Sequence, residues 1–281
     1  MSALFNLGEL LNQNNDPNKT ALIDLSRPEG AREFSHAEID ATSRAVARGL
    51  TSRDLKRGDR VAILSSNRVE FLTAYLGTMR AGLVSVPINY KFPDETVEYI
   101  LRDADIKLVF ADTERAARVP PNFPVITFGE NGPDAFDTLC DPGEFNSVRP
   151  AKDALAIFLS PSGSTGRPKG VPLTHAGHLW VVEVRIDPPP DADHRVLVAA
   201  PLYHMNGLAM CKLAMGAHLT IVLMPQFTAI DYIKAIGRYG VTWLTSVPTM
   251  LAMVSRERQA LAHTDLSSVR IARMGSAPVS Q

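Results

Sequence analysis

The sequence predicts an α/β protein in which largely parallel sheets are covered by helices on both faces. Three observations lead to this prediction. The apolar pattern changes period repeatedly along the chain, which indicates alternating strands and helices. Short apolar strands separated by helices are typical of parallel sheets. The chain has 281 residues, 45% of them hydrophobic, which is enough to form the cores of two domains or of one large unit.

The first part of the chain opens with a predicted hairpin and then alternates helices and strands. Ser35 and Glu38 form a capping-box pattern, so a helix is expected from there to about Leu50. Asn67 and Glu70 indicate the start of a second helix in the same way. The predicted strands are 21–25, 31–35, 60–65, 83–88, 107–111, 124–128 and 154–160, and the further helices are 67–81, 94–104 and 134–139.

The sequence DPPPDAD at 187–193 is the clearest boundary in the chain, and a new alternation begins after it. A helix is predicted before it, at 175–186. Thr228 with Asp231 marks one later helix start, and Pro248 marks another, because proline is favoured in a first helical turn. The remaining predicted strands are 196–200, 218–224, 241–247 and 269–275, with a helix at 208–217.

The composition argues against several classes of function. Twenty-nine Lys and Arg residues balance 30 Asp and Glu, so the net charge of −1 gives no indication of nucleic-acid or membrane-surface binding. Cys140 and Cys211 are too few for a disulfide framework or a cysteine-based zinc site. The N-terminus lacks the features of a signal peptide, and no apolar run approaches the roughly 20 residues of a membrane span. We therefore expect a soluble, cytoplasmic protein.

Unusual loops follow four of the predicted strands. Ligands of open α/β sheets bind at the carboxyl ends of strands, so the shared position of these loops predicts one crevice. The four loops are Ser160–Gly170, Pro201–Gly207, Ser246–Thr249 and Gly275–Pro278.

The first of these loops, Ser160–Gly170 (SPSGSTGRPKG), is called the glycine-rich segment below, and it predicts a phosphate-binding loop. Its glycines permit positive φ and close approach to a ligand, and consecutive backbone N–H groups can form an anion-binding nest. Its hydroxyl groups add donors, and its lysine adds a mobile positive charge. The glycines are Gly163, Gly166 and Gly170, the hydroxyl residues are Ser162, Ser164 and Thr165, and the lysine is Lys169.

The glycine-rich segment matches neither of the common nucleotide fingerprints. A Walker loop requires G-x-x-x-x-G-K-[ST], whereas here Pro168 precedes the lysine and Gly170 follows it. The chain has no G-x-G-x-x-G, which disfavours a nicotinamide dehydrogenase. A solvated turn is the simplest alternative, but the pattern [ST]-G-[ST]-T-G-x-P-K-G is too specific to expect by chance in a chain of this length.

The segment SGSTGRPKGVPLTH resembles the phosphate-loop signature of the adenylate-forming superfamily, which includes acyl-CoA synthetases, aryl-CoA ligases, luciferases and the adenylation domains of peptide synthetases. Three further stretches extend the resemblance along most of the chain. PLYHMNG resembles the family's proline–aromatic–histidine loop, VTWLTSVPTMLAMV its strand–Val-Pro–helix segment, and GSAPVS its small-residue loop. His204 and the short GSAPVS favour the acyl-CoA synthetase branch.

The resemblance implies a two-step reaction with ATP, Mg²⁺ and coenzyme A, in which a small carboxylic acid becomes an acyl-adenylate and then a thioester, as in fatty acid metabolism. It also implies two similar α/β subdomains, at 51–190 and 191–281, with residues 1–50 packing on the second. His204 would line the acyl pocket. By the same resemblance, the residues that bind the β- and γ-phosphates are Ser162, Gly163, Ser164, Thr165, Gly166 and Lys169, and those that wall the adenylate are Gly275, Ser276, Ala277 and Pro278.

The sequence departs from the family pattern in two places. Pro161 stands where the family has a hydroxyl residue, and it also lacks a backbone N–H. The chain stops at Gln281, before the family's Thr-Glu segment and the small C-terminal domain with the catalytic lysine. We therefore expect an N-terminal portion that is inactive by itself. An aryl-acid ligase, an adenylation domain and a non-catalytic nucleotide-binding module stay open as alternatives.

The histidines and aspartates outside these motifs do not form a metal pattern. His175 and His178 are spaced i,i+3 at a predicted helix start, but no third ligand lies near them in the sequence. Asp191 and Asp193 flank the polyproline turn. We expect capping or surface roles for these four residues and no metal site.

Overall fold

The computed structural model of the protein describes residues 4–10, 15–129, 131–160 and 170–275. The chain divides into two compact units. Unit 1 contains Met1–Leu10 and Ala37–Val184, and unit 2 contains Leu11–His36 and Arg185–Gln281. Each unit has one six-stranded sheet among the described residues.

Strands and helices alternate along the described residues, as the period changes predict. The strands are β1 (Thr20–Asp24), β2 (Arg32–Ser35), β3 (Arg60–Leu64), β4 (Val84–Pro87), β5 (Ile106–Asp112), β6 (Val125–Phe128), β7 (Leu155–Leu159), β8 (Val171–Thr174), β9 (Arg195–Val198), β10 (Thr220–Leu223), β11 (Trp243–Ser246) and β12 (Ile271–Met274). The helices are α1 (His36–Thr51), α2 (Val69–Arg80), α3 (Asp94–Asp103), α4 (Thr113–Ala116), α5 (Phe136–Leu139), α6 (His175–Arg185), α7 (Met205–Gly216), α8 (Ala229–Tyr239), α9 (Pro248–Val254) and α10 (Arg258–Ala262).

The sheet of unit 1 has the strand order β6-β5-β3-β4-β7-β8. All of its pairings are parallel except that of β8 with β7. Strands β3, β4 and β5 are mostly buried, and one core cluster packs their side chains against helix α3. Burying this apolar surface supplies the main driving force for folding the unit, at about 25 cal/mol per Å².

The sheet of unit 2 has the order β12-β11-β9-β10-β1-β2, again parallel except for one edge pair, the hairpin β1–β2. Its core cluster joins β1, β9, β10 and β11 to α8 and α9. The two mostly parallel sheets with flanking helices confirm the predicted fold class.

Three short elements were not predicted from the sequence: strand β8 and helices α4 and α10. Strand β8 contains Pro172, which cannot donate to a sheet ladder and is therefore restricted to edge strands or bulges. It is the edge strand of its sheet, and both Val171 and Pro172 are exposed, so it shows no apolar strand pattern. As a result, the glycine-rich segment connects two neighbouring antiparallel strands, β7 and β8.

The residues predicted to start α8 and α9 do so in the structure, whereas α2 begins one residue later than its predicted cap implies. The Thr228 hydroxyl accepts a hydrogen bond from the backbone N–H of Asp231 at the start of α8, and Pro248 is the first residue of α9. Helix α2 begins at Val69, with Arg68 and not Asn67 at its N-cap position. No helix within the described ranges is long and apolar enough to cross a membrane.

Helix α1 belongs to unit 1, whereas the sequence prediction placed all residues before 51 on the second subdomain. The reason is close packing with α2: a Cβ on Gly77 would lie 2.6 Å from the Cβ of Val46 and 2.8 Å from the carbonyl oxygen of Ser43. Asp40 of α1 also pairs with Arg80 of α2. Residues Leu11–His36 are the ones that group with unit 2.

Replacing Gly77 with alanine is expected to lower the free energy of unfolding by about 1–3 kcal/mol, because the added methyl group meets Val46 and the α1 backbone. Gly177→Ala in α6 is the matched control. Its Cβ would meet only the Thr174 hydroxyl, at 3.2 Å, so the gain in helix propensity should leave stability unchanged or slightly raised. Urea denaturation measures both, and equal effects would contradict this packing.

Candidate functional site

Two of the four loops predicted to form a crevice, and the described first residue of a third, Gly275, lie at the carboxyl ends of strands in the sheet of unit 2. Strands β9, β11 and β12 are parallel neighbours, so their carboxyl ends meet at the same edge. Pro201–Gly207 follows β9, Ser246–Thr249 follows β11, and Gly275 follows β12. The fourth loop, the glycine-rich segment, follows β7 of unit 1.

His204 is exposed at the N-cap position of helix α7, which begins inside the predicted loop. Its backbone N–H donates to the carbonyl of Pro201 (3.1 Å), and its own carbonyl accepts from the N–H of Leu208 (3.3 Å). The imidazole lies 4.7 Å from the ring of Tyr203 between ring centres. The helix start therefore holds the backbone of His204 while its ring stays accessible to a ligand at the sheet edge.

Gly207 fixes the distance between helix α7 and this loop. A Cβ at Gly207 would lie 2.7 Å from the carbonyl oxygens of both Ala200 and Pro201, and backbone atoms cannot give way as a flexible side chain can. Only glycine fits here, so the first turn of α7 packs directly on the exit of β9.

Ser246 positions Gly275, the described member of the predicted adenylate wall. The Ser246 hydroxyl donates to the carbonyl of Arg273 (3.1 Å), and the Ser246 carbonyl accepts from the N–H of Gly275 (3.2 Å). Ser246 is 2% exposed, so these bonds are shielded from water. Sequence reasoning missed this role, because the partners are 27 and 29 residues away in the chain.

Most of the predicted phosphate and adenylate residues lie outside the described residues. These are Ser162, Gly163, Ser164, Thr165, Gly166, Lys169, Ser276, Ala277 and Pro278. On the described side, Leu159 pairs with Val171, so the ends of the glycine-rich segment lie on adjacent strands. A Cβ on Gly170 would lie 1.9 Å from Cζ of Phe158, so Gly170 rests against that ring.

Comparison with known proteins identifies the family. The model of the AMP-binding enzyme family matches residues 11–281, almost the whole chain. The chain belongs to this family. One similar relative is an oxalate–CoA ligase of Arabidopsis thaliana, with 29% identity over 265 residues. The match covers 88% of this chain and 51% of the relative.

Two further comparisons give a curated relative and a solved structure that are similar to this AMP-binding family chain. A feruloyl-CoA synthase of Amycolatopsis sp is 32% identical over 257 residues, covering 89% of this chain and 50% of the relative. The crystal structure of ATP-bound MatB from Rhodopseudomonas palustris has a TM-score of 0.84 and 28% identity, covering 98% of this chain and 55% of that one. The chain spans about half the length of the curated relatives it matches.

Three buried titratable groups of the AMP-binding chain lie outside the predicted ligand loops. Helix α7 carries Lys212, which is 3% exposed, and burial lowers its pKa to about 8. His36 stacks on His218 with 3.7 Å between ring centres, and burial lowers the pKa of His36 to about 3. His175 is 4% exposed, which corrects the expectation of a surface role for this residue, and burial lowers its pKa to about 4.

These histidines predict a protein that loses stability in mild acid. Unfolded histidine titrates near pH 6.5, whereas folded His36 and His175 stay neutral down to about pH 3 and 4. Between those limits the unfolded state binds more protons, so the free energy of unfolding falls as the pH drops below about 6.5. Urea denaturation at pH 7 and pH 5 measures this.

The variant His36→Phe isolates one contribution to the acid sensitivity. It keeps a ring against His218 but removes a titrating group, so the loss of stability from pH 7 to pH 5 should be smaller than in the parent. Exposed His263, changed to glutamine, is the control and should leave the pH dependence unaltered. A parent protein equally stable at both pH values would contradict the prediction.

Proposed function

We propose that this chain is the ATP-binding part of an AMP-forming acyl-CoA ligase. The observation that carries the proposal is the glycine-rich segment, which lies inside the family match of a chain whose fold is shared with an ATP-bound relative. The His204 loop and Gly275 follow strands β9 and β12, which are parallel and separated by β11 alone, and this supports a ligand site at the carboxyl ends of these strands.

The reaction has two steps. An oxygen of the carboxylate attacks the α-phosphorus of ATP, the bond to the bridging oxygen breaks, and pyrophosphate leaves with that electron pair. The sulfur of coenzyme A then attacks the acyl carbon, AMP leaves, and the thiol proton is released. Charge grows on pyrophosphate in the first step, so fixed donors aimed at it lower the barrier.

In this proposal the glycine-rich segment supplies those donors. Charge-assisted hydrogen bonds contribute about 1.5–3 kcal/mol each, so several together bind a triphosphate after the cost of association. The residues assigned to the β- and γ-phosphates are Ser162, Gly163, Ser164, Thr165, Gly166 and Lys169. His204 lines the acyl pocket, and Gly275, Ser276, Ala277 and Pro278 wall the adenylate.

Magnesium enters the proposal only as part of the Mg·ATP substrate. Within the described ranges, no group of three His, Cys, Asp or Glu residues is placed to hold a metal ion. We therefore assign no protein ligand to magnesium. The names of the two relatives specify different acyl groups, oxalate in one and feruloyl in the other. The proposal therefore names carboxylic acids as a class.

Hydroxylamine trapping tests the proposal. Hydroxylamine converts an acyl-adenylate into a hydroxamate, so the longest polypeptide that contains this chain should give hydroxamate with ATP and at least one acid of a broad panel. The 281-residue chain alone should bind ATP and give none. ATP binding by the longer polypeptide without hydroxamate from any acid would instead support a non-catalytic nucleotide-binding module.

The variant Pro161→Thr tests whether the departure in the glycine-rich segment weakens ATP binding. Threonine restores a hydroxyl and a backbone N–H, so ATP affinity should rise by up to about tenfold. Isothermal titration of the chain with Mg·ATP measures the change, and Pro150→Thr, outside the segment, is the control. Unchanged or weaker binding would show that the missing hydroxyl plays no part.

A further inference from the structure

His175 makes a long-range contact just beyond the return strand of the glycine-rich segment. It is the first residue of α6, directly after β8, and only 4% of it is exposed. Its ring Nδ1 accepts a hydrogen bond from the backbone N–H of Leu7 at 3.0 Å, across 168 residues of sequence. An accepting Nδ1 carries no proton, so the ring is the neutral tautomer protonated at Nε2.

The N-terminal segment that His175 contacts is firmly held within unit 1. Asn6 donates from its side chain to the carbonyls of Met79 (2.9 Å) and Val148 (2.8 Å), and its Oδ1 accepts from the N–H of Gly8 (2.8 Å). Arg80 donates through Nε to the carbonyl of Gly8 (2.8 Å). His175 therefore attaches to a rigid support and not to a loose chain end.

Strand β8 needs such an anchor. It has four residues at the sheet edge, and two of them are exposed. Strand register is weakly specified where neither face is well buried, and the β7–β8 pairing already shows a register shift between Leu155 and Ile157. A slip of one residue would move Gly170 away from the Phe158 ring and displace the exit of the glycine-rich segment.

We propose that His175 is a positioning residue for the glycine-rich segment, because its hydrogen bond from Leu7 locks the register of β8 against β7. This role rests on the proposed function in one respect, that the segment binds ATP. The lock itself is a structural property of unit 1. The His175 backbone N–H donates to the carbonyl of Ala154 (3.1 Å), the residue before β7. It adds a second contact at the end of the β7–β8 pair where β7 begins and β8 ends.

Two substitutions separate the hydrogen bond from the side-chain volume. The amide oxygen of asparagine reaches about the position of Nδ1, so His175→Asn keeps an acceptor for Leu7. Glutamine places its amide about where Nε2 lies, so His175→Gln loses that acceptor. We expect His175→Gln to weaken ATP binding about tenfold, while His175→Asn stays within about twofold of the parent. His263→Gln, on an exposed helix end, is the control.

Amide hydrogen exchange tests the lock without reference to ATP. In His175→Gln the amides of Leu7, Val171 and Leu173 should exchange faster than in the parent, whereas in His175→Asn they should not. If His175→Gln exchanges as the parent does, or His175→Asn is equally impaired, the proposal is overturned. If the parent chain fails to bind ATP, the proposed function fails, and the exchange rates still decide whether His175 holds β8.

A measurement on the parent protein covers the case in which the glutamine variant does not fold. Nitrogen-15 chemical shifts of the His175 imidazole distinguish an unprotonated Nδ1 from a protonated one. An unprotonated Nδ1 that shows a hydrogen-bond coupling to the Leu7 amide is the expected result. A proton on Nδ1 at neutral pH would overturn the proposal.

Discussion

Replacing Arg80 with leucine is expected to lower the free energy of unfolding by about 3 kcal/mol. Arg80 is 2% exposed and pairs with Asp40, and its Nε donates to the carbonyl of Gly8. Removing one partner of a buried ion pair costs about 3–5 kcal/mol, because the other charge stays poorly solvated. Asp40 retains Arg44 at 3.2 Å, so we expect the lower end of that range.

Arg102→Leu is the matched control for Arg80. Arg102 pairs with Glu98 at 2.7 Å on the surface of α3, with 59% of its side chain exposed. Exposed pairs of this kind contribute about 0.3–0.5 kcal/mol. Urea denaturation of both variants should therefore show a large loss for Arg80→Leu and almost none for Arg102→Leu. Similar losses would mean that burial of the Arg80 pair does not determine its contribution.

Replacing Lys169 with methionine is expected to weaken ATP binding by about 10- to 100-fold. Methionine keeps much of the side-chain length but removes the charge, and a charge-assisted hydrogen bond contributes about 1.5–3 kcal/mol. Isothermal titration with Mg·ATP measures the affinity. This prediction depends on the proposed assignment of Lys169 to the phosphates.

The control for Lys169 is Lys152→Met, an exposed lysine before the start of β7. It removes the same charge from unit 1 without touching the glycine-rich segment, so ATP affinity should be unchanged. Raising the salt concentration weakens both proteins' general attraction for anions, but it should not remove the difference between the two variants. Equal weakening in both would show that net charge, and not the segment, controls binding.

Periodicity predicted most of the fold because buried strands and amphipathic helices carry their pattern locally. The hairpin β1–β2 lies within the short stretch Thr20–Ser35, the helix start at Thr228 involves Asp231 three residues later, and the start at Pro248 is indicated by the proline itself. Strand β8 escaped prediction because an exposed edge strand with a proline has no apolar pattern of its own. Helix α10 has five residues, none of them buried, so nothing in its pattern marks it as a helix.

The same distinction between local and long-range information applies to the candidate site. Loops at strand ends are visible in the sequence, and Pro201–Gly207, Ser246–Thr249 and Gly275 do follow parallel strands of one sheet. The contacts that hold them are not visible, because Ser246 reaches Arg273 and His175 reaches Leu7 through the folded backbone. The requirement for glycine at position 207 is also not visible in the sequence, because only the packed structure shows which backbone atoms a side chain would meet.

Identifying the nucleotide products is the strictest test of the proposed AMP-forming ligase function. The longest polypeptide that contains this chain would be incubated with Mg·ATP, coenzyme A and the acid that gives hydroxamate. We expect AMP and pyrophosphate in equal amounts, formed only when the acid is present, with one acyl-CoA for each AMP. ADP and phosphate as the products, or AMP formed at the same rate without the acid, would contradict it.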